Sequence, residues 1–135
     1  MTIEHIAIWT NDIERLKSYY ADNFNGTASA KYTNPKKQFE SYFVSFGAGA
    51  RIEIMTIPNL AEGVEANSTN MRKGLTHIAF ETETMADVNN KAKQLAENGF
   101  IITNGPRVTG DGYYEFETLD PDGNRVEVTT KFVAE

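Results

Sequence analysis

The chain has 135 residues, 40% of them hydrophobic and 24% charged, and a formal net charge of −6. That length and apolar content suit one compact domain, or two small modules sharing a core. The longest basic runs are the pairs Lys36-Lys37 and Arg72-Lys73, so a nucleic-acid-binding face is not expected. There is no cysteine, which excludes disulfides, thiolate metal sites and cysteine nucleophiles. No apolar run approaches membrane-spanning length. Met1 to His5 carries neither a basic nor an apolar leader region, so the expected location is the cytoplasm.

In chain order, a strand pattern comes first, with His5, Ala7 and Trp9 on one face and Ile6 and Ile8 on the other. Asn11, with Glu14 three residues on, predicts a helix start. Ile13, Leu16, Tyr20 and Phe24 follow helical spacing, and Gly26 is expected to close the helix in the left-handed conformation. Strands are then expected near Thr27 to Thr33, over Ser41 to Phe46, and over Arg51 to Ile57, with Gly47-Ala48-Gly49 as the turn before the last. A polar segment, 58–74, is long for a connector and reads as a linker.

The second series opens on His77-Ile78-Ala79-Phe80. Thr84 is the expected N-cap, with Asp87 at the third helical position. Met85, Val88, Ala92 and Leu95 form the apolar stripe, and Gly99 the stop. Strands follow over Phe100 to Thr103, Tyr113 to Leu119 and Arg125 to Thr130. The tight-turn sequence Asp120-Pro121-Asp122-Gly123 precedes the last of them.

The two series are one pattern repeated. His5-Ile6-Ala7-Ile8 returns at His77, 72 positions later, and Arg51-Ile52-Glu53-Ile54 returns as Arg125-Val126-Glu127-Val128, 74 positions later. The predicted organisation is therefore α+β: two βαβββ modules, 1–57 and 75–135, joined by the linker, each with a mixed sheet.

Strand parity singles out four residues. The apolar neighbours Ile52, Ile54, Val126 and Val128 must pack on the helix of their module. His5, Glu53, His77 and Glu127 are thus left on the helix-free faces. Any one of them alone reads most simply as a polar surface residue, because an unpartnered buried carboxylate is costly. But the chain has only two histidines, and both stand at the same repeat position, as both glutamates do. If the two sheets face each other, two imidazoles and two carboxylates form a nitrogen/oxygen donor set for one divalent ion: Zn²⁺ or Ni²⁺ first, with Co²⁺, Mn²⁺ and Fe²⁺ compatible.

These motifs, together with Asp12 through Tyr20 and Asp120-Pro121-Asp122-Gly123-Asn124, resemble the vicinal oxygen chelate superfamily over nearly the whole chain. That superfamily includes glyoxalase I, methylmalonyl-CoA epimerase, extradiol dioxygenases, and fosfomycin- and bleomycin-resistance proteins. The resemblance implies paired modules forming a cupped sheet around the metal, and frequent homodimers. Four ligands, two His and two Glu, look most like glyoxalase I of the short bacterial type. It implies proton transfer next to a carbonyl on a small metabolite, with Glu127 as the main base and Glu53 opposite it.

Two positions depart from glyoxalase I. Trp9 stands where that family carries an arginine, and Ile57 where it carries an asparagine, both for glutathione. The departures predict a less anionic or more aromatic substrate. Trp9, Met55 and Thr129 are expected to line the cup by parity, with Tyr113 and Tyr114 as further wall or lid residues. Within the same fold the alternatives are an acyl-thioester epimerase, a ring-cleaving dioxygenase and a non-catalytic drug binder.

Overall fold

The structure, a computed structural model, describes residues 1–63 and 73–134. It divides into two compact units at Gly63–Val64. Most of the expected linker lies outside the described residues.

The first unit runs β1 (His5–Trp9), α1 (Ile13–Asn23), β2 (Thr27–Ala28), β3 (Tyr32–Asn34), β4 (Phe39–Ser45) and β5 (Arg51–Thr56). Its sheet is ordered β1-β5-β4-β2, with β3 also pairing β4. β1 and β5 are parallel, and the other pairs are antiparallel. The strand expected near Thr27 to Thr33 is thus broken into two short pieces on one partner. The second unit runs β6 (Ile78–Glu81), α2 (Met85–Glu97), β7 (Ile102–Val108), β8 (Tyr113–Leu119) and β9 (Arg125–Lys131). Its order is β6-β9-β8-β7, again with the first and last strands parallel. Each unit is therefore a βαβββ module with a mixed sheet, as the repeat predicts.

Burial follows the parity argument. Ile52, Ile54 and Val44 are buried with Ile13, Leu16 and Tyr20 in the first unit, where α1 packs on β4 and β5. Val126, Val128 and Phe116 are buried with Val88, Ala92 and Leu95 in the second, where α2 packs on β7, β8 and β9. Fully burying a side chain of this kind contributes about 1.5–3 kcal/mol.

Thr84 caps α2, and its capping box with Asp87 is complete. Gly99 takes φ +87° just past the helix. The first helix corrects two expectations. Its N-cap is Asp12, not Asn11, because the helix begins at Ile13 and the Asp12 side chain accepts from the Arg15 N–H at 3.0 Å. Glu14 is thereby released from any capping role and accepts from the Tyr42 hydroxyl at 2.9 Å, with Lys31 Nζ 2.8 Å away.

At the other end Asn25, not Gly26, holds the left-handed conformation, at φ 54°. Gly26 is needed for room: a Cβ there would stand 2.6 Å from Val44 Cγ1 and 2.9 Å from Phe46 Cε1. A third difference is that β7 begins at Ile102 and extends to Val108, well past the expected end. It does so by bulging around Gly105, whose φ of +83° suits glycine and whose added Cβ would meet Glu115 O at 2.6 Å.

Candidate metal centre

In the first unit β1 and β5 run side by side with His5 opposite Arg51 and Ala7 opposite Glu53. His5 and Glu53 therefore share the face away from α1, one step apart diagonally. Nε2 of His5 lies 3.6 Å from Oε2 of Glu53. The second unit repeats this. Glu127 stands opposite Ala79, and His77, immediately before β6, places Nε2 3.1 Å from Oε2 of Glu127. The glutamates are the more enclosed members, with side chains 18% and 16% exposed against 40% and 38% for the histidines.

Those spacings bear on whether a metal fits. Two donors held by one ion at about 2.0–2.2 Å, at tetrahedral or octahedral angles, lie about 2.8–3.6 Å apart. Both His/Glu pairs fall in that range, and imidazole nitrogen with carboxylate oxygen is a fitting donor set. Among the described residues, no group of three or more His, Cys, Asp or Glu stands in a metal-holding arrangement, so each unit carries a pair.

The surroundings of the two pairs differ. Nδ1 of His5 donates to Glu4, while Nε2, on the other side of the ring, faces Glu53. Glu4 is also paired with the Arg51 guanidinium, which lies 3.9 Å over the Phe43 ring. The His5 hydrogen bond, with help from Arg51, lowers the Glu4 carboxyl below its usual range. In the second unit Thr76 occupies the position before the histidine, and Arg125 instead places Nε 3.4 Å from Glu117 Oε1.

Glu127 also has acidic neighbours on β8. Glu117 is directly opposite it, and Glu115 is opposite Thr129. Thr103 donates to Glu117 at 2.9 Å and Thr129 to Glu115 at 3.1 Å. Burial raises the Glu127 carboxyl pKa. His77 works against that rise, Glu115 and Glu117 add to it, and Arg107 opposes it.

The expected pocket residues sort by face. Trp9 and Met55 are opposite each other and share the face of Glu53. Thr129 and Tyr113 share the face of Glu127. Tyr114 does not join them: it points to the helix side, where its hydroxyl donates to Asn89 of α2 at 2.8 Å. Adjacent strand residues face opposite ways, so only one of the two tyrosines can reach the site face. Sequence reasoning passed over Glu115, Glu117 and Phe43. The parity that selected Glu127 and Glu53 selects them too, once strand pairing is known. Glu4 has no counterpart in the repeat, and nothing in the pattern marks it.

The sequence model of the Glyoxalase/Bleomycin resistance protein/Dioxygenase superfamily matches residues 2–128. The chain belongs to this superfamily. No curated protein is a significant match. Among solved structures, the glyoxylase/bleomycin resistance protein/dioxygenase domain from Frankia sp. EAN1pec is similar with a TM-score of 0.79 at 14% identity, covering 98% of each chain. The trypanothione-dependent glyoxalase I of Leishmania major is similar at 0.72 and 18% identity, over 95% of this chain and 85% of that one. A fosfomycin resistance protein of Listeria monocytogenes, complexed with Mn(II) and sulfate, is similar at 0.70 and 16% identity, over 97% and 93%. At these identities the likeness is one of fold.

Proposed function

We propose that this chain is a metal-dependent lyase or isomerase of glyoxalase I type, moving a proton next to a carbonyl in a small metabolite, with Trp9 and Ile57 arguing against dependence on glutathione. The observation that carries the reading is the His/Glu pair at metal-ligand spacing, formed once in each unit. His5, Glu53, His77 and Glu127 would together hold one divalent ion, with Zn²⁺ or Ni²⁺ the best fit to two imidazoles and two carboxylates. When bound, the ion would polarise the substrate oxygens and stabilise negative charge on them. The Mn(II) complex of the similar Listeria protein supports metal use on this fold.

The protein's own groups then carry the proton. Glu127 takes it from the carbon beside the carbonyl and returns it to the neighbouring carbon. Glu53 is the matching carboxylate of the other unit and would complete the ligand set. Glu4 and the Phe43 ring hold the His5 imidazole in place. The protein would act as a cytoplasmic homodimer.

The test is Glu127→Gln. The variant should keep its metal and lose turnover of thiol–aldehyde adducts by about 10²–10⁴-fold. A variant retaining full activity would remove Glu127 from the base role. Racemisation of an acyl thioester, without action on such adducts, would point instead to an epimerase.

A further inference from the structure

Strand register aligns Trp9, Met55, Ser41 and Tyr32 in one row across β1, β5, β4 and β3. Phe39, two residues before Ser41 and on the same face, joins the ends of the row. Its ring makes an edge contact with Trp9 at 6.1 Å and a tilted contact with Tyr32 at 6.0 Å. Trp9 is 48% exposed and Tyr32 55%. The row carries no charge. The next row along the strands is Ala7, Glu53 and Phe43, about 7 Å away at two residues of rise. An aromatic strip thus lies beside the proposed metal ligand on the same open face.

The repeat supplies a control within the molecule. The same register in the second unit aligns Glu81, Thr129, Glu115 and Arg107, and that row is polar throughout. The βαβββ module does not require apolar side chains here. A contiguous exposed apolar patch usually marks a place where something binds. Trp9, half exposed, offers an indole face for stacking there.

We propose that Trp9, Phe39 and Tyr32 form a subsite for a flat aromatic group attached directly to the substrate's metal-chelating oxygens. The substrate class is then an aryl carbonyl compound with two vicinal oxygens. This deepens the proposed function and rests on its metal. The strip lies in the row next to Glu53, about 7 Å along the strands, a distance a phenyl group bonded to the chelating carbon spans. Edge and stacked aromatic contacts also favour a ring over an aliphatic chain of similar size.

Acetohydroxamate and benzohydroxamate chelate a metal through the same two oxygens and differ by methyl against phenyl, so they separate the subsite from the metal. Their dissociation constants should be measured on the Zn²⁺-loaded full chain by calorimetry. Trp9 is the only tryptophan, so its fluorescence reports contact independently. The expected result is benzohydroxamate binding about tenfold more tightly and quenching Trp9. Trp9→Ala and, as a milder change, Phe39→Leu should each shrink that preference while leaving acetohydroxamate binding unchanged.

Equal affinity of the two probes would overturn the subsite and leave the metal reading standing. A phenyl preference that survives both variants would place the ring elsewhere and also overturn it. Failure of the chain to take up Zn²⁺ would remove the metal reading, and the subsite with it; failure of both probes on a chain that holds Zn²⁺ would overturn the subsite alone. Equal affinities together with a change of oligomeric state in Trp9→Ala would assign the strip to a second copy of the chain.

Discussion

His77 Nε2 lies 3.1 Å from Glu127 Oε2, and its repeat counterpart, His5 to Glu53, is wider at 3.6 Å. Among the described residues, only the wider pair has a carboxylate on the far side of its imidazole, from Glu4. Outer partners of this kind fix the ring and its tautomer, and losing them typically weakens metal affinity about 10–100-fold. Glu4→Ala should therefore weaken Zn²⁺ binding by about that factor, while Thr76→Ala, at the equivalent position, should leave it nearly unchanged. Competition against a chromophoric chelator reads both. Equal effects would contradict the orienting role of Glu4.

Glu14 predicts an acid limit to stability. Lys31 and then the Tyr42 hydroxyl hold its carboxyl down to about 2, against an ordinary value near 4.5. A carboxyl lowered on folding stabilises the protein above its unfolded pKa, and that contribution is lost as pH falls toward the folded value. Wild type should exceed Glu14→Gln in urea midpoint at pH 7, and the gap should close between about pH 4.5 and 2. A gap that persists unchanged at the acid end would show that the variant acts through something other than charge.

Gly26 and Asn25 should respond oppositely to substitution. Gly26→Ala drives a methyl to within 2.6 Å of Val44, a buried core residue, and should cost about 1–3 kcal/mol. Asn25→Gly relieves a left-handed residue at φ 54° and should be neutral or slightly stabilising. Thermal melts of both variants check this, and a neutral Gly26→Ala would mean that the Val44 side chain gives way freely.

Tyr113 and Tyr114 offer a test of face. Tyr114→Phe removes the hydrogen bond to Asn89 and should lower stability by about 0.5–1.5 kcal/mol with ligand binding unaffected. Loss of hydroxamate affinity in that variant, with stability unchanged, would contradict the helix-side placement.

The sequence carried the larger frame because the repeat supplies long-range information that single segments lack. Two histidines and two glutamates at matching positions, combined with strand parity, are enough to derive each His/Glu pair and the helix-free face that holds it. What stayed hidden depends on strand pairing. Glu117 opposite Glu127 and Ser41 opposite Met55 follow from register, which periodicity alone does not set. The N-cap of α1 fell one residue from its expected place because Asn11 and Asp12 are both good caps, and the capping-box pattern favours the wrong one. Gly26 looked like a helix stop by type, whereas its role is set by Val44, eighteen positions away.

Divalent metal stoichiometry tests the central claim most directly. Purified chain, stripped with chelator and titrated with Zn²⁺ or Ni²⁺, should bind one ion per chain, and His5→Ala and His77→Ala should each weaken that single site. Two independent ions per chain, one for each His/Glu pair, or a single site indifferent to either histidine, would contradict the shared four-ligand centre.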